Sequence, residues 1–357
     1  MEVLIASPIG ISSITQNELK QLGFSARVVS PALCTTQADW PGVYKLNIHL
    51  RTANRVYIQL AKSPTQNFDH LFDLIQTIDW SQYIAPYHPI VVNAQSSNSA
   101  LHSVRTIQSI AHKSILVKMT GSREAKRDQD ESYMPIDVLI QIVNDQCTIW
   151  LNTSGDSLHK RGYREQAGDA PIQETIAAAL IIQSGRNATN DFRDPCCGSW
   201  TIAIEAAMIA ANITPGKYRD FACHFFPNSD TVAWEKIYAD ALAAEKIPTV
   251  HILATDIDPK MITMTYENAY NAGVEKYITH SAKAFAYDPD FKWYMITNPP
   301  YGMRIQSDQS LIQDIIKQLQ SSSGWLIFPK THTIAAPWLQ TLEVRNGPEE
   351  CIFWYHK

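Results

Sequence analysis

Asn298, Pro299, Pro300 and Tyr301 stand together in TNPPYG, residues 297 to 302, directly after the apolar run WYMI. The two prolines stiffen the chain, and Pro299 leaves Asn298 extended while its own carbonyl projects outward. The Asn298 side chain supplies a second carbonyl beside the ring of Tyr301. Two acceptors converging on one point can hold a planar group that bears an NH2, either a nucleobase or an amide. An exocyclic base amine is a poor nucleophile because its lone pair is delocalised into the ring. Acceptors on its hydrogens help localise that lone pair in the transition state, so no base of unusual pKa is needed. The plainer alternative is a Pro-Pro turn that closes a strand.

Two further stretches follow apolar runs in the same way. In DPCCGSWT, residues 194 to 201, Gly198 can permit a tight turn beneath a ligand, and the helix that follows can face an electron-rich group. A simple strand-to-helix turn explains that loop equally well. In ATDIDP, Asp256 can accept both hydroxyl hydrogens of a ribose, while Asp258 precedes Pro259 as a helix cap. An acidic residue in an exposed loop is the alternative for Asp256. All three stretches need one scaffold, an open parallel sheet with its ligands beyond the carboxyl ends of the strands. The second half supplies the pattern, because DFRDP, TVHILATDID, WYMITNPP and GWLIFP alternate with the helical TIAIEAAMIAANI, MITMTYENAYNAG and SLIQDIIKQLQ. APIQETIAAALIIQSG precedes them, with Pro171 at a first helical position and Gly185 at the stop. Asn346-Gly347 marks a turn between two closing strands.

The first half reads differently. MEVLIASP predicts a strand, SSITQNELKQLG a helix stopped by Gly23, and VYKLNIHL, by its alternating polarity, another strand. Phe68, Leu71, Phe72 and Ile75 fall at helical spacing, HPIVVNAQS reads as a strand, and a helix follows from about Ser103 to Thr120. A polar loop, SREAKRDQDESYMP, then leads to a hairpin turning at Asn144-Asp145.

The net charge of −5 on 357 residues argues against a general nucleic-acid binder, but it is unevenly spread. Through Arg164 there are 15 basic and 13 acidic residues, and beyond it 15 and 22. A polyanion would therefore meet the first half. The six cysteines form no CxxC pair and the histidines no zinc spacing, so no metal is expected and a reducing compartment is. MEVLIASPIGISS lacks a basic leader and no long apolar run occurs, so the expected location is cytoplasmic.

With these residues in view, the chain resembles the THUMP-domain RNA methyltransferases, and among them the bacterial ribosomal RNA guanine amino-methyltransferases often labelled N6-adenine-specific DNA methylases. LNTSGDSLHKRGYRE resembles the family's linker, and APIQETIAAAL, EAAMIAANITPG, TDIDPKMI and TNPPYGMR match in order and spacing. VYKLNIHLRTANRV is similar to part of the family's N-terminal unit. The resemblance implies an α/β fold: a Rossmann-like class I methyltransferase domain with a mostly parallel seven-stranded sheet, preceded by a ferredoxin-like unit and a THUMP α+β RNA-binding region. The corresponding divisions are 1–60, 61–152, a linker at 153–164, and 165–357.

It also implies S-adenosyl-L-methionine as methyl donor and the 2-amino group of a guanine in structured RNA as acceptor, ribosomal RNA first and tRNA as an alternative. Asp194, Cys197, Gly198 and Ser199 would then line the methionine side, Asp256 the ribose, and Asn298, Pro299, Pro300 and Tyr301 the base. Lys113, Lys118, Arg123, Lys126 and Arg127, in the run HKSILVKMTGSREAKR, would meet RNA phosphates, unless they are a solvated face. Lys160, Arg161 and Arg164 form a second basic group, although Arg164 could equally pin the linker to the catalytic domain.

Cys196 stands where the family pattern has an aromatic, and two further positions depart from it with more consequence. Trp200 replaces a glycine of the donor loop, where it would either be strained by about 1–3 kcal/mol or occupy donor volume if that glycine has positive φ. An indole facing solvent or the sheet would be tolerable there. Lys283 stands near where the family places an acidic residue for the adenine amine, and a lysine cannot accept that bond. Three readings follow: an active RNA methyltransferase, a degenerate member that binds RNA with little or no cofactor affinity, and a DNA amino-methyltransferase that leaves the N-terminal third unexplained.

Overall fold

The computed structural model describes residues 1–122, 133–164, 172–184, 191–198, 200–291, 293–299, 309–331, 334, 336 and 338–356. Two seven-stranded sheets organise them.

The first sheet is built from β1 (Glu2–Ala6), β2 (Ala26–Ser30), β3 (Leu33–Gln37), β4 (Arg55–Pro64), β5 (Ile90–Ser97), β6 (Ile136–Val143) and β7 (Gln146–Asn152), in the order β2-β3-β1-β4-β7-β6-β5. β4 belongs to two neighbourhoods. Residues 55–58 pair with β1, residues 57–64 pair with β7, and the register shifts between Gln59 and Ala61. That irregularity turns one long strand from the N-terminal unit into the next. β6 and β7 form the expected hairpin, with Asn144 and Asp145 both at positive φ as a two-residue primed turn requires.

Helices α1 (Ser12–Gln21), α2 (Trp40–His49), α3 (Phe68–Gln76) and α4 (Val104–Thr120) cover this sheet. VYKLNIHL is therefore helix, contrary to its alternating pattern. Asp39 accepts from the Gly42 amide at 2.9 Å and Pro41 occupies the first turn, two start signals that outweigh a short alternation. Its buried positions, Val43, Tyr44, Leu46, Asn47 and Ile48, form a broad helical face.

The second sheet has the order β10-β9-β8-β11-β12-β14-β13. β8 (Phe192–Asp194), β9 (Ile252–Asp256), β10 (Ile278–Ala282), β11 (Tyr294–Thr297) and β12 (Gly324–Pro329) run parallel, and β14 (Glu349–His356) and β13 (Gln340–Asn346) close the edge antiparallel. Gly347 at φ +61° makes their turn. α5 (Glu174–Gln183) and α6 (Thr201–Ala210) are apolar on nearly every side and almost wholly buried. α5 is capped by Gln173 and begins at Glu174, three residues later than Pro171 suggested; Pro171 and Gly185 lie outside the described residues. α7 (Thr231–Ala243), α8 (Pro259–Asn271), capped by Asp258 as expected, and α9 (Gln309–Ser321) complete the layers.

The halves are fastened by apolar packing and by polar bonds that are half-buried or exposed. Phe221, Ala222, Cys223 and Phe226, from the segment between α6 and α7, are part of the N-terminal core. The Arg51 guanidinium donates to the Ile213 carbonyl at 2.6 Å, and the Gly216 amide to that of Ile48 at 3.0 Å. Arg219 donates to the carbonyls of Ser154, Asp156, Ser157 and Lys160, which ties down the linker.

Candidate cofactor and base site at the strand ends

The chain leaves β8 toward β9 and β10 on one side, and later returns to β11 and β12 on the other. The gap between β8 and β11 is therefore the topological switch point, where open sheets bind ligands. Asp194 ends β8 and Asn298 follows β11, so the two sequence motifs meet there. They are bonded through a residue that sequence reasoning missed. The Thr297 hydroxyl donates to Asp194 Oδ1 at 2.9 Å, with both groups buried. Burial pushes the Asp194 carboxyl up to about 7, against the pull of Thr297 and of the Cys196 amide.

The loop after β8 is held from β9. The Cys197 amide donates to the Thr255 carbonyl at 3.0 Å, and the Gly198 amide to Asp256 Oδ2 at 2.9 Å. The other Asp256 oxygen accepts from the Asp258 amide at 3.0 Å. Each carboxylate oxygen retains a lone pair, so this clamp is compatible with a ribose diol as well. Gly198 has φ +46°, and a Cβ there would meet none of the described residues within 4 Å. Positive φ calls for glycine at this position. Ile257, 75% exposed, projects an apolar side chain between the two aspartates. Burial pushes both neighbouring thiols up, Cys196 to about 12, so neither is a nucleophile at neutral pH.

Trp200 has φ +57° and ψ +15°, the left-handed conformation, and serves as the cap of α6. The strain expected of a non-glycine residue is therefore present. The indole does not stand in the space before Gly198, because it is 0% exposed and packs in the domain core, its ring 4.9 Å from that of His280. Its N–H has no hydrogen-bond acceptor of good geometry and leans toward the Cys197 sulfur, a weak one. Arg164 fixes the same corner, donating to Thr201 Oγ1 at 2.5 Å and lying 3.1 Å from Glu174 Oε1.

The linker's basic group is thus divided. Arg161 is 2% exposed, paired with Glu205 at 3.3 Å and bonded to the carbonyls of Leu158 and Arg51, so it is a structural pin and not part of a basic surface. Arg164 pins as well, and only Lys160 is exposed, beside Asp156 at 3.2 Å. Lys113 and Lys118 lie exposed on α4; Arg123, Lys126, Arg127, Ser199, Pro300 and Tyr301 fall outside the described residues. Asn298 is half-buried and Pro299 buried. The Lys283 side chain is exposed while its amide donates to the Asp256 carbonyl at 2.8 Å. The connection that follows is held by Arg193, whose guanidinium lies 4.9 Å from the Phe285 ring and 4.8 Å from that of Phe291.

A mostly parallel seven-stranded sheet closed by an antiparallel pair, with a glycine loop and two strand-end carboxylates at its switch point, has the architecture of a class I methyltransferase domain. Residues 161–333 match the RMKL-like methyltransferase domain, residues 2–57 the RlmL ferredoxin-like domain, and residues 65–152 the THUMP domain. The chain is 34% identical over 322 residues to a Bacillus subtilis protein provisionally named RNA methyltransferase YpsC, covering 89% of this chain and 83% of that one. It is 29% identical over 98% of its length to the Ribosomal RNA large subunit methyltransferase K/L of Shewanella oneidensis, of which it spans 52%. Among solved structures, a possible methylase from Clostridium difficile 630 superposes with a TM-score of 0.86 at 30% identity, over 99% of this chain and 97% of that one. SMU.472, provisionally named a methyltransferase and crystallised with SAH, gives 0.85 at 26% identity, over 99% and 97% of the two chains. The chain belongs to this RMKL-like methyltransferase family.

Proposed function

We propose that the protein transfers a methyl group from S-adenosyl-L-methionine to the 2-amino group of a guanine in structured RNA, with ribosomal RNA the first substrate to test. The observation that carries this reading is the Thr297 to Asp194 bond, which fastens the base-side strand end to the donor-side one. The donor would supply an activated methyl group. Asp194, Cys197, Gly198 and Ser199 would line its methionine side and Asp256 its ribose. The carbonyl groups of Asn298 and Pro299 would accept the hydrogens of the base amine, with Pro300 stiffening the turn and Tyr301 covering the ring. A guanine reaches such a pocket only after leaving its stack, so the target nucleotide is unpaired or flipped. The THUMP region, proposed as residues 61–152, would hold phosphates through Lys113, Lys118, Arg123, Lys126 and Arg127. A cytoplasmic location accords with this substrate, and no helix among the described residues is long and apolar enough to cross a membrane.

Asn298→Ala tests the base grip. Methylation of RNA from a strain lacking the protein should be lost while RNA affinity stays nearly unchanged; a parallel loss of affinity would count against the role. Trp200 favours a second reading, a degenerate donor loop. Calorimetric titration with S-adenosyl-L-methionine separates the two, since no binding at millimolar donor would sink the active reading. The enclosed indole, packed in the core, supports binding.

A further inference from the structure

β5 and β6 are neighbours in parallel register, with Ile90 opposite Ile136. That register brings the residues three before each strand, Tyr87 and Tyr133, side by side. Their ring centroids lie 4.3 Å apart with planes at 39°. Beneath them His88 is buried, edge-on to Tyr87 at 4.8 Å and 6.0 Å from Tyr133. The His88 ring accepts from the Ala85 amide at 3.4 Å, so the support is itself fixed. Tyr87 remains 43% exposed and Tyr133 41%. At that separation the two rings overlap, face toward face at a tilt, so they form a short stack with a partly exposed outer side, and its ordering entropy is already spent before anything binds.

The setting selects the occupant. α4 follows β5 and packs back along it, so Lys118 comes to the same end of the unit, where its charge is felt by Asp79. In the sequence Arg123, Lys126 and Arg127 lie between Lys118 and Tyr133. On the other side, Met134 packs its sulfur against Gly155 of the linker, close to Ala222 of the catalytic half. The pair therefore stands where the THUMP domain meets the joint to the catalytic domain, with lysine charge at hand. Single-stranded nucleic acid is bound by this combination of cationic groups for phosphates and aromatic faces for bases.

We propose that Tyr87 and Tyr133 form a stacking platform for an unpaired base of the bound RNA, a contact separate from the base grip at Asn298. The proposal rests on RNA being the substrate. Every base has a π-face, so the platform accepts any unpaired nucleotide and rejects a base locked in a duplex.

The test uses the full chain and two probes, an RNA hairpin with one 2-aminopurine in its loop and a blunt RNA duplex. Replacing both tyrosines by alanine should weaken hairpin binding roughly 5- to 150-fold, the range for loss of one base-aromatic stack. It should also remove the 2-aminopurine fluorescence change that stacking produces, while duplex binding stays as it was. Replacing both by phenylalanine should preserve affinity and fluorescence change alike. The platform is refuted if the double alanine variant binds and stacks like the parent, or if phenylalanine fails as badly as alanine. Should the parent bind neither probe, the RNA reading itself fails, an outcome distinct from failure of the platform alone.

Discussion

At the joint between the halves, Arg219 donates to four backbone carbonyls and Arg161 is enclosed against Glu205 with two carbonyls to complete its bonding. Elsewhere, the loop after β8 holds Trp200 in the left-handed region with an N–H that lacks a proper acceptor among the described residues, and Asp194 in a site that opposes its charge. The joint is dense in hydrogen bonds, with only Glu205 Oε2 and Arg51 Nη1 left over among these side chains in the described residues, while the loop keeps its strain in the backbone. Backbone strain of this kind persists only where its surroundings hold it, and here the surroundings are Asp256, Arg164 and Thr297.

The contrast breaks most severely at Arg161→Ala, which leaves Glu205 buried without its cation. About 3–5 kcal/mol of stability should be lost, read from the midpoint of urea unfolding. A loss below about 1 kcal/mol would mean that the joint is not the strong partner in the comparison.

Asp194 gives the next effect. Its folded pKa is raised to about 7 from an ordinary value of 3.8, so the stability tied to its proton is complete below about pH 4 and is lost as pH rises through 7. Roughly 4 kcal/mol should disappear across that window in the parent relative to Asp194→Asn, which keeps the acceptor for Thr297. Equal slopes of stability against pH in the two proteins would show that the carboxyl is not held neutral.

Trp200→Gly sharpens the comparison with a smaller, composite effect. Removing the indole from the core costs about 3–5 kcal/mol, while relief of the left-handed backbone and of the poorly satisfied N–H returns part of it. A net loss of about 1–3 kcal/mol is expected in thermal unfolding, with no gain in affinity for S-adenosyl-L-methionine. Tighter donor binding by the glycine variant would mean that the indole obstructs the donor after all.

Much of the site was legible because strand-end chemistry is written in contiguous residues. DPCCGSWT, ATDIDP and TNPPYG each carry a turn former beside a polar group, and the positive φ of Gly198 and the cap at Asp258 follow from residue type alone. What escaped was held in other parts of the sequence. Thr297 is an ordinary strand residue until β8 and β11 are placed side by side, and Arg161 reads as part of a basic cluster until Glu205 is brought to it across 44 positions. The helix at VYKLNIHL was misread because alternation over eight residues is a weak signal, while Asp39 and Pro41, outside that window, carry the information. Trp200 shows the same limit: its conformation follows from the loop, but the direction of its indole depends on His280, on an edge strand far along the chain.

β4 has one consequence beyond joining two units. A single ten-residue strand that lends its first half to one unit and its second half to the next leaves no hinge between them. A displacement of one unit is therefore carried along the same backbone into the other, so the two are coupled through covalent chain and not through side-chain contacts alone.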